Sequence, residues 1–449
     1  MLPSRELTKS HTHTHTRTII YYRVKKIMAE HNPAVVIDNG TGYTKMGYAS
    51  NVEPQFVIPT AIATNDVKGA VNKSECQDLD FHVGNDAVKN KHHYSLNYPI
   101  THGLIENWNN MERLWQRCIF EHMRAEPEEH YFLLTEPPMN PPENREYTAE
   151  VMFETFNVPG LYIAVQACLA LAASYTSLLH TGKTKPDPSM MHTGTVIDSG
   201  DGVTHVVPVS HGYVIGSCIQ HIPLAGRDVT QFIFNAMKDR KEPVPPESSK
   251  VVAKIIKERH CYTCKDIVKE FQKFDKNPEK CFRKYSGVNK FTHKPWSCDV
   301  GYERFLGPEI FFNPEIFNKD FKKPLPQVVD EVVQACEIDT RRGLYNNIVL
   351  SGGSTLFRDF SKRLQRDVKK IVSDRIDKNM KAIKRAGVDQ KKPKVDVNVV
   401  SHPMQRYAVW FGGSLLSGSP QFYKICHTKE QYDEEGPRIC RHNAAFTHL

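Results

Sequence analysis

Two octapeptides in this chain place an acid, paired glycines, a threonine and a base at one spacing. They are Asp38-Asn39-Gly40-Thr41-Gly42-Tyr43-Thr44-Lys45 and, 160 residues on, Asp198-Ser199-Gly200-Asp201-Gly202-Val203-Thr204-His205. Glycines let backbone N–H groups come close to a ligand, and successive N–H groups in a turn form a concavity for anions. The leading Asp puts negative charge beside that concavity, which makes sense when a divalent cation sits between carboxylate and phosphate. Two copies imply a duplicated fold that grips one nucleotide from both sides. A third phosphate-contacting candidate is Ser351-Gly352-Gly353-Ser354-Thr355. Read as a strand-to-helix joint, it would offer the orphan N–H groups and dipole of a helix N-terminus.

The elements that must position these residues follow from the apolar pattern. Short apolar runs (34–37 and 195–197) lead into each octapeptide and strand-like runs (46–49 and 206–209) leave it, so each is read as a β-hairpin. Residues 55–58 and the apolar run 131–134 read as further strands, the latter central and parallel. Helical spacing predicts helices over 107–122, 143–156, 161–176, 224–237, 249–274 and 328–336, and residues 213–221 alternate as one strand. Ile348, Val349 and Leu350 form a buried strand; beyond the glycines, Phe357, Phe360, Leu364, Val368, Ile371, Val372 and Ile376 mark one apolar helix face.

The chain has 449 residues, enough for several domains, and its 40% apolar and 24% charged content is ordinary for a globular protein. The longest apolar candidate, 161–179, is interrupted by Gln166, Ser174, Thr176 and Ser177 and reads as buried helix, not a membrane span. Eleven cysteines without a framework point to free thiols in a reducing compartment, and Cys261-x-x-Cys264 lacks the second half of a zinc site. Residues 1–27 carry six basic residues and one acid, five of the eight net positive charges. The nearly balanced remainder does not favour a general nucleic-acid or membrane binder. With its alternating His11, His13 and His15, that segment reads as a disordered or non-native extension. Gly182-Lys183-Thr184 imitates the end of a P-loop, but no strand leads in. The stretch 358–394, with fourteen Lys and Arg against five Asp, reads as a solvated helix face and lysine-rich loop without aromatics for base stacking.

Two phosphate hairpins and a Gly-Gly loop in this order resemble the actin and sugar-kinase-like ATPase superfamily. Leu133-Leu134-Thr135-Glu136-Pro137, Asn144-Arg145-Glu146, residues 152–159 and Leu224-Ala225-Gly226-Arg227-Asp228 narrow the resemblance to the actin family. Residues 301–312, 374–396 and 436–443 resemble an actin-related protein more than conventional actin. The fold class implied is α/β: a duplicated actin/sugar-kinase/chaperone-type ATPase fold, two lobes around a nucleotide cleft, each with a smaller inserted subdomain. On that scheme residues 28–59, 102–173 and 407–449 form the first lobe and 60–101 its insertion. Residues 174–224 and 325–406 form the second lobe and 225–324 its insertion.

The resemblance also implies roles, with ATP and Mg2+ as cofactors. Asp38 and Asp198 would hold Mg2+ through its waters, while Thr41, Gly42, Lys45, Asp201, Gly202 and Val203 would contact phosphates. Gln166 and His205 would order the attacking water; Lys257 and Glu258 would lie near the adenosine, with Gly352, Gly353, Thr355, Leu356 and Arg406 around base and phosphate. Phosphoryl transfer to water needs positioning and charge neutralisation more than covalent chemistry. Phe357 replaces a family tyrosine, and residues 60–82 depart from actin's filament-contacting loop, against self-polymerisation. The implied function is structural: a cytoplasmic, cytoskeletal ATP-binding subunit of the complex that nucleates branched actin filaments, at most a slow regulatory ATPase. Implied partners are actin-related protein 2 and the other subunits, actin filaments and nucleation-promoting factors, with no direct nucleic acid and no transmembrane segment. The alternatives are a small-molecule kinase, which needs a spare general base in the cleft, a chaperone ATPase, and a chromatin-associated actin-related protein.

Overall fold

The computed structural model describes residues 32–65, 81–90, 93–182, 186–289, 291–386 and 391–446. The extension 1–27, most of the Gly182-Lys183-Thr184 segment, and Cys76 lie outside or partly outside the described residues. Two large sheets dominate, and they are built alike. In the first the strand order is His427–Thr428, Gly160–Val165, Phe132–Glu136, Val35–Asn39, Tyr43–Tyr48, Phe56–Pro59. In the second it is Tyr213–Val214, Thr204–Ser210, Gly194–Ser199, Ile348–Ser351, Val399–Val400, with Gln220–Ile222 also paired to Thr204–Ser210.

The duplication reaches individual residues. Each octapeptide closes an antiparallel hairpin whose first strand has a parallel neighbour on its other side. Asp38 faces Lys45 across the first hairpin as Asp198 faces His205 across the second. Each turn is shut by one backbone bond, Gly40 N–H to the Tyr43 carbonyl at 3.1 Å and Gly200 N–H to the Val203 carbonyl at 3.2 Å.

Side chains of a strand alternate between faces, so a sheet covered on both sides supplies two cores. Val35, Ile37, Phe132, Leu134, Leu161 and Ile163 enter an outer core with Met111, Trp115 and Phe153. Ile197, Val206, Ile348 and Leu350 enter a second outer core with Val229, Ile233, Val329 and Leu364. The intervening residues Val36, Leu133, Val196, Val207 and Val349 share one middle core. The helices Gln166–Thr181 and Ala408–Ser417 fill that middle layer. They approach backbone to backbone: a Cβ on Gly412 would collide with the Leu169 carbonyl oxygen. The Trp410 indole N–H fastens the layer to the first sheet through the Val36 carbonyl at 3.0 Å. The C-terminal segment adds a strap, with Asn443 donating to Glu136 at 2.7 Å and Val214 N–H donating to the Ala445 carbonyl at 2.7 Å.

Smaller units sit beside each sheet. Strands Phe81–Val83, Ile62–Thr64 and Ser95–Asn97 form a three-stranded sheet with the helix Gly84–Lys89. In the other, helices Ser249–His260, Ile267–Lys276 and Glu303–Glu309 stand beside the hairpin Arg283–Val288/Pro295–Val300. A separate small core of Tyr262, Cys264, Phe274, Cys281 and Phe305 holds part of that unit together. The Cys261 and Cys264 thiols donate to the Glu303 carbonyl and the Glu309 carboxylate, so this pair is packing and hydrogen bonding.

The structure corrects several expectations. Residues 161–176 are not one helix: Gly160–Val165 is a buried parallel strand and the helix starts at Gln166. A continuous apolar run carries no period that separates buried strand from buried helix. Residues 213–221 break into two two- to three-residue strands around the turn Gly216–Cys218, and 249–274 breaks at the extended segment after His260. The long helix starts at Phe360, after a 3-10 turn (Gly353–Thr355) and a left-handed Asp359. The glycines therefore do not sit at its N-terminus, and that reason for an anion site falls away. Along this helix Phe360, Leu364, Val368 and Val372 are buried, while Lys369, Lys370 and Lys378 face solvent. Part of the basic stretch is internal: Arg363 pairs with Asp367 at 2.6 Å and Arg375 with Asp330.

Substituting Gly412 by Ala tests the middle layer. Overpacking there should cost about 1–3 kcal/mol, read as a lower thermal unfolding midpoint, whereas Ala at Gly216, where a Cβ would meet nothing closer than 3.8 Å and φ is not positive, has no such clash to relieve.

Candidate functional site

The site forms where the two hairpin turns meet. A Cβ on Gly42 would lie 2.7 Å from Asp201 Cβ, and one on Gly202 would lie 2.7 Å from Thr41 Cγ2. Neither glycine has positive φ. Each is glycine because the opposite turn occupies the place of its side chain. Thr41 is held in turn by the Gly103 N–H, which donates to its hydroxyl at 2.9 Å.

Next to the paired turns lies a cavity of about 510 Å³, within the ~300–1,000 Å³ of small-molecule sites. Of the sequence-predicted residues, Asp38, Thr41, Gly42, Lys45, Gln166, Asp198, Asp201, Gly202, Val203 and His205 line it. So do Lys257, Glu258, Gly352, Gly353, Leu356 and Arg406. Thr355 does not. Its hydroxyl points into the protein, donating to the Gly352 carbonyl at 2.7 Å and accepting from Gln405 at 2.5 Å, so it shapes the loop from behind.

Two carboxylates define one end. Asp38 accepts from Thr135 at 2.7 Å and from Lys45 at 2.6 Å, with Gln166 at 3.5 Å. Asp198 is half-buried, and its loss of surrounding water together with the negative charge of Asp38 raises its carboxyl above the usual range, against a Ser351 hydrogen bond and Lys45. Two acids served by one lysine leave negative charge that a cation would neutralise. Among the described residues no three His, Cys, Asp or Glu side chains are grouped to hold a metal. A cation here would rely on water and ligand oxygens, as magnesium commonly does.

The glycine-lined part of the cavity fits an anion. A Cβ at Gly200 or Gly353 would meet nothing within 4 Å, and both residues line the cavity, so a ligand can reach their backbone. Gly352 is different. Its φ of +88° is a glycine conformation, and a Cβ there would collide with the Ser199 carbonyl. Lys257 donates to the Gly226 carbonyl at 2.8 Å and lies 3.9 Å from Asp201. Burial lowers its pKa, only partly offset by Asp201. Farther along, Glu258, Leu356 and Arg406 are exposed cavity-lining groups, and Phe357 stands beside them.

Sequence reasoning assigned no role to Tyr43, Gly103, Thr135, Lys254, Arg358 or Tyr407, which line the cavity or contact its carboxylates. Tyr43 lay inside the octapeptide at its variable position, and Lys254 lay one helical turn before Lys257; both signals were available. His221 was also missed: its Nδ1 lies 3.0 Å from Nε2 of His205.

Burial, with the nearby His221, pushes the pKa of His205 down to about 4. Unfolding restores an ordinary histidine near 6.5, so the unfolded chain binds the extra proton between these values. Stability from this group is complete above pH ~6.5 and is lost as pH falls toward 4. Thermal midpoints measured across that window should fall with pH, and His205→Gln should flatten part of the slope.

The family model described as Actin matches residues 29–445. Actin-related protein 3 of Acanthamoeba castellanii is 60% identical over 429 residues, 92% of this chain and 97% of that protein. Actin-related protein 3 of Dictyostelium discoideum is 59% identical over 418 residues, 92% of this chain and 97% of its own. The Drosophila melanogaster protein of the same name is 57% identical over 426 residues, 93% and 99% of the two chains. Similarity of this extent, over a chain whose paired glycine turns enclose a cavity between two like-built sheets, has one meaning: the chain belongs to the actin family.

Proposed function

We propose that this protein is an ATP-binding, actin-like subunit of the assembly that nucleates branched actin filaments. Its actin-like partner is actin-related protein 2; the other subunits, actin filaments and nucleation-promoting factors complete the set, in the cytoplasmic cytoskeleton at the cell edge. Its relatives named actin-related protein 3 support this reading over nearly their whole length. Membership of the actin family implies nucleotide binding; the choice of Mg·ATP rests on the site. The observation that carries it is the pair of carboxylates, Asp38 and Asp198, beside backbone left open at Gly200 and Gly353.

Asp38 and Asp198 hold Mg2+ through water, which neutralises phosphate charge. Thr41, Gly42, Lys45, Asp201, Gly202 and Val203 surround the phosphates, Lys257 and Glu258 the ribose side, and Gly352, Gly353, Leu356 and Arg406 the base side. Gln166 and the neutral His205 would orient water, and the protein is at most a slow regulatory ATPase. ATP acts chiefly as a ligand that favours the closed arrangement of two lobes over an open one, by binding it more tightly. The two lobes with their insertions, divided as the resemblance implies, present that closed shape to the neighbouring subunit. The relatives named above do not favour the kinase or the chromatin-associated alternative.

Asp38→Asn and Asp198→Asn should each weaken Mg·ATP binding by calorimetry at least tenfold and reduce branch formation in a reconstituted complex by a similar factor. Unchanged branching by both variants would overturn the nucleotide-controlled reading.

A further inference from the structure

Beyond the interlocked turns, a direct polar contact among the described residues joins the two sides of the cavity. Lys254, on the helix Ser249–His260, donates its ammonium to the Tyr43 hydroxyl on the first hairpin. The same ammonium lies 4.5 Å from the centre of the Tyr43 ring. Both residues line the cavity. Burial alone would push the lysine pKa down; the Tyr43 hydrogen bond, with Asp201 and Glu258 nearby, outweighs it and raises the pKa. The group is therefore a cation held at the hydroxyl end of the tyrosine by a charge-assisted hydrogen bond, which strengthens as water is excluded.

Lys254 forms no ion pair within 4 Å among the described residues, so the tyrosine is its direct partner. A second contact between a cation and a tyrosine spans the same gap. The Arg227 guanidinium stands 5.7 Å from the Tyr98 ring centre, with the arginine at the start of helix Gly226–Asp239 and the tyrosine beside the smaller three-stranded sheet. In both, the cation comes from the second half and the aromatic ring from the first.

We propose that Tyr43 and Lys254 form a latch across the cavity that sets how fast bound nucleotide leaves. The inference rests on the reading of the cavity as a nucleotide site. The turns meet through shape, which resists closer approach but does not resist separation. Parting the two sides breaks the cation–tyrosine contact, so that contact lies on the path of release and not among the phosphate or base contacts. Its loss should therefore act on the dissociation rate far more than on the association rate. Arg227 over Tyr98 works in the same direction from the outer edge.

The test uses the full-length chain and a fluorescent ATP analogue chased by excess ATP in a stopped-flow instrument. Lys254→Met and Tyr43→Leu should each speed release by about tenfold. The double variant should be no faster than either single one, because both remove one contact. Tyr43→Phe, which keeps the ring but removes the hydroxyl, should speed release about as much as Tyr43→Leu, and Lys254→Arg, which keeps a charged donor, should retain slow release. Release within twofold of the unmodified rate for Lys254→Met, or additive effects in the double variant, would overturn the latch while leaving the nucleotide site intact. Absence of ATP binding by the unmodified chain in calorimetry would overturn the nucleotide reading and the latch together.

Discussion

Everything at the site depends on two turns occupying each other's missing side chains. Gly42 makes room for Asp201, and Gly202 makes room for Thr41, each with 2.7 Å to the place a Cβ would take. A contact of this kind has no adjustable part. It limits how closely Asp38 and Asp198 can approach, because each acid sits at the end of the strand that feeds its turn. Two carboxylates brought to one cavity repel, and Lys45 neutralises only part of that charge. The geometry thus creates an electrostatic demand that a cation with an anionic ligand answers.

The rest of the structure divides into what cannot move and what can. The sheets share a single middle core, and the helices within it touch backbone to backbone at Gly412. Interiors packed this tightly transmit displacement and do not absorb it. The C-terminal strap reinforces the joint by hydrogen bonding to both sheets. Opposite that joint the contacts across the cavity are few and polar. Contacts of this sort exchange readily with water, so the two sheets are held together chiefly by the core and only lightly across the cavity.

Burial also explains the chemistry of the individual groups. His205 is kept neutral by burial, which suits a group that accepts or orients and does not carry charge. Lys257 pays for its burial by donating to the Gly226 carbonyl and standing near Asp201. Thr355 shows the converse: its place in a glycine-rich loop made it a ligand candidate, yet its hydroxyl is consumed in holding that loop.

Both hairpins, the strand before Gly352 and the amphipathic face from Phe360 to Val372 were legible in the residues, because alternation, paired glycines and a three-to-four spacing are local properties. The duplicated octapeptides alone announced two matching strand–turn–strand units with acids at one end. Local pattern could not separate the strand Gly160–Val165 from the helix beginning at Gln166, since both are buried and apolar throughout. Nor could it place the helix start five residues past the glycine loop, or find Tyr43 facing Lys254 across 211 positions of chain. Those outcomes belong to packing between distant segments: which residues share a face is written in their order, but which faces meet is decided only when the whole chain has closed on its cores.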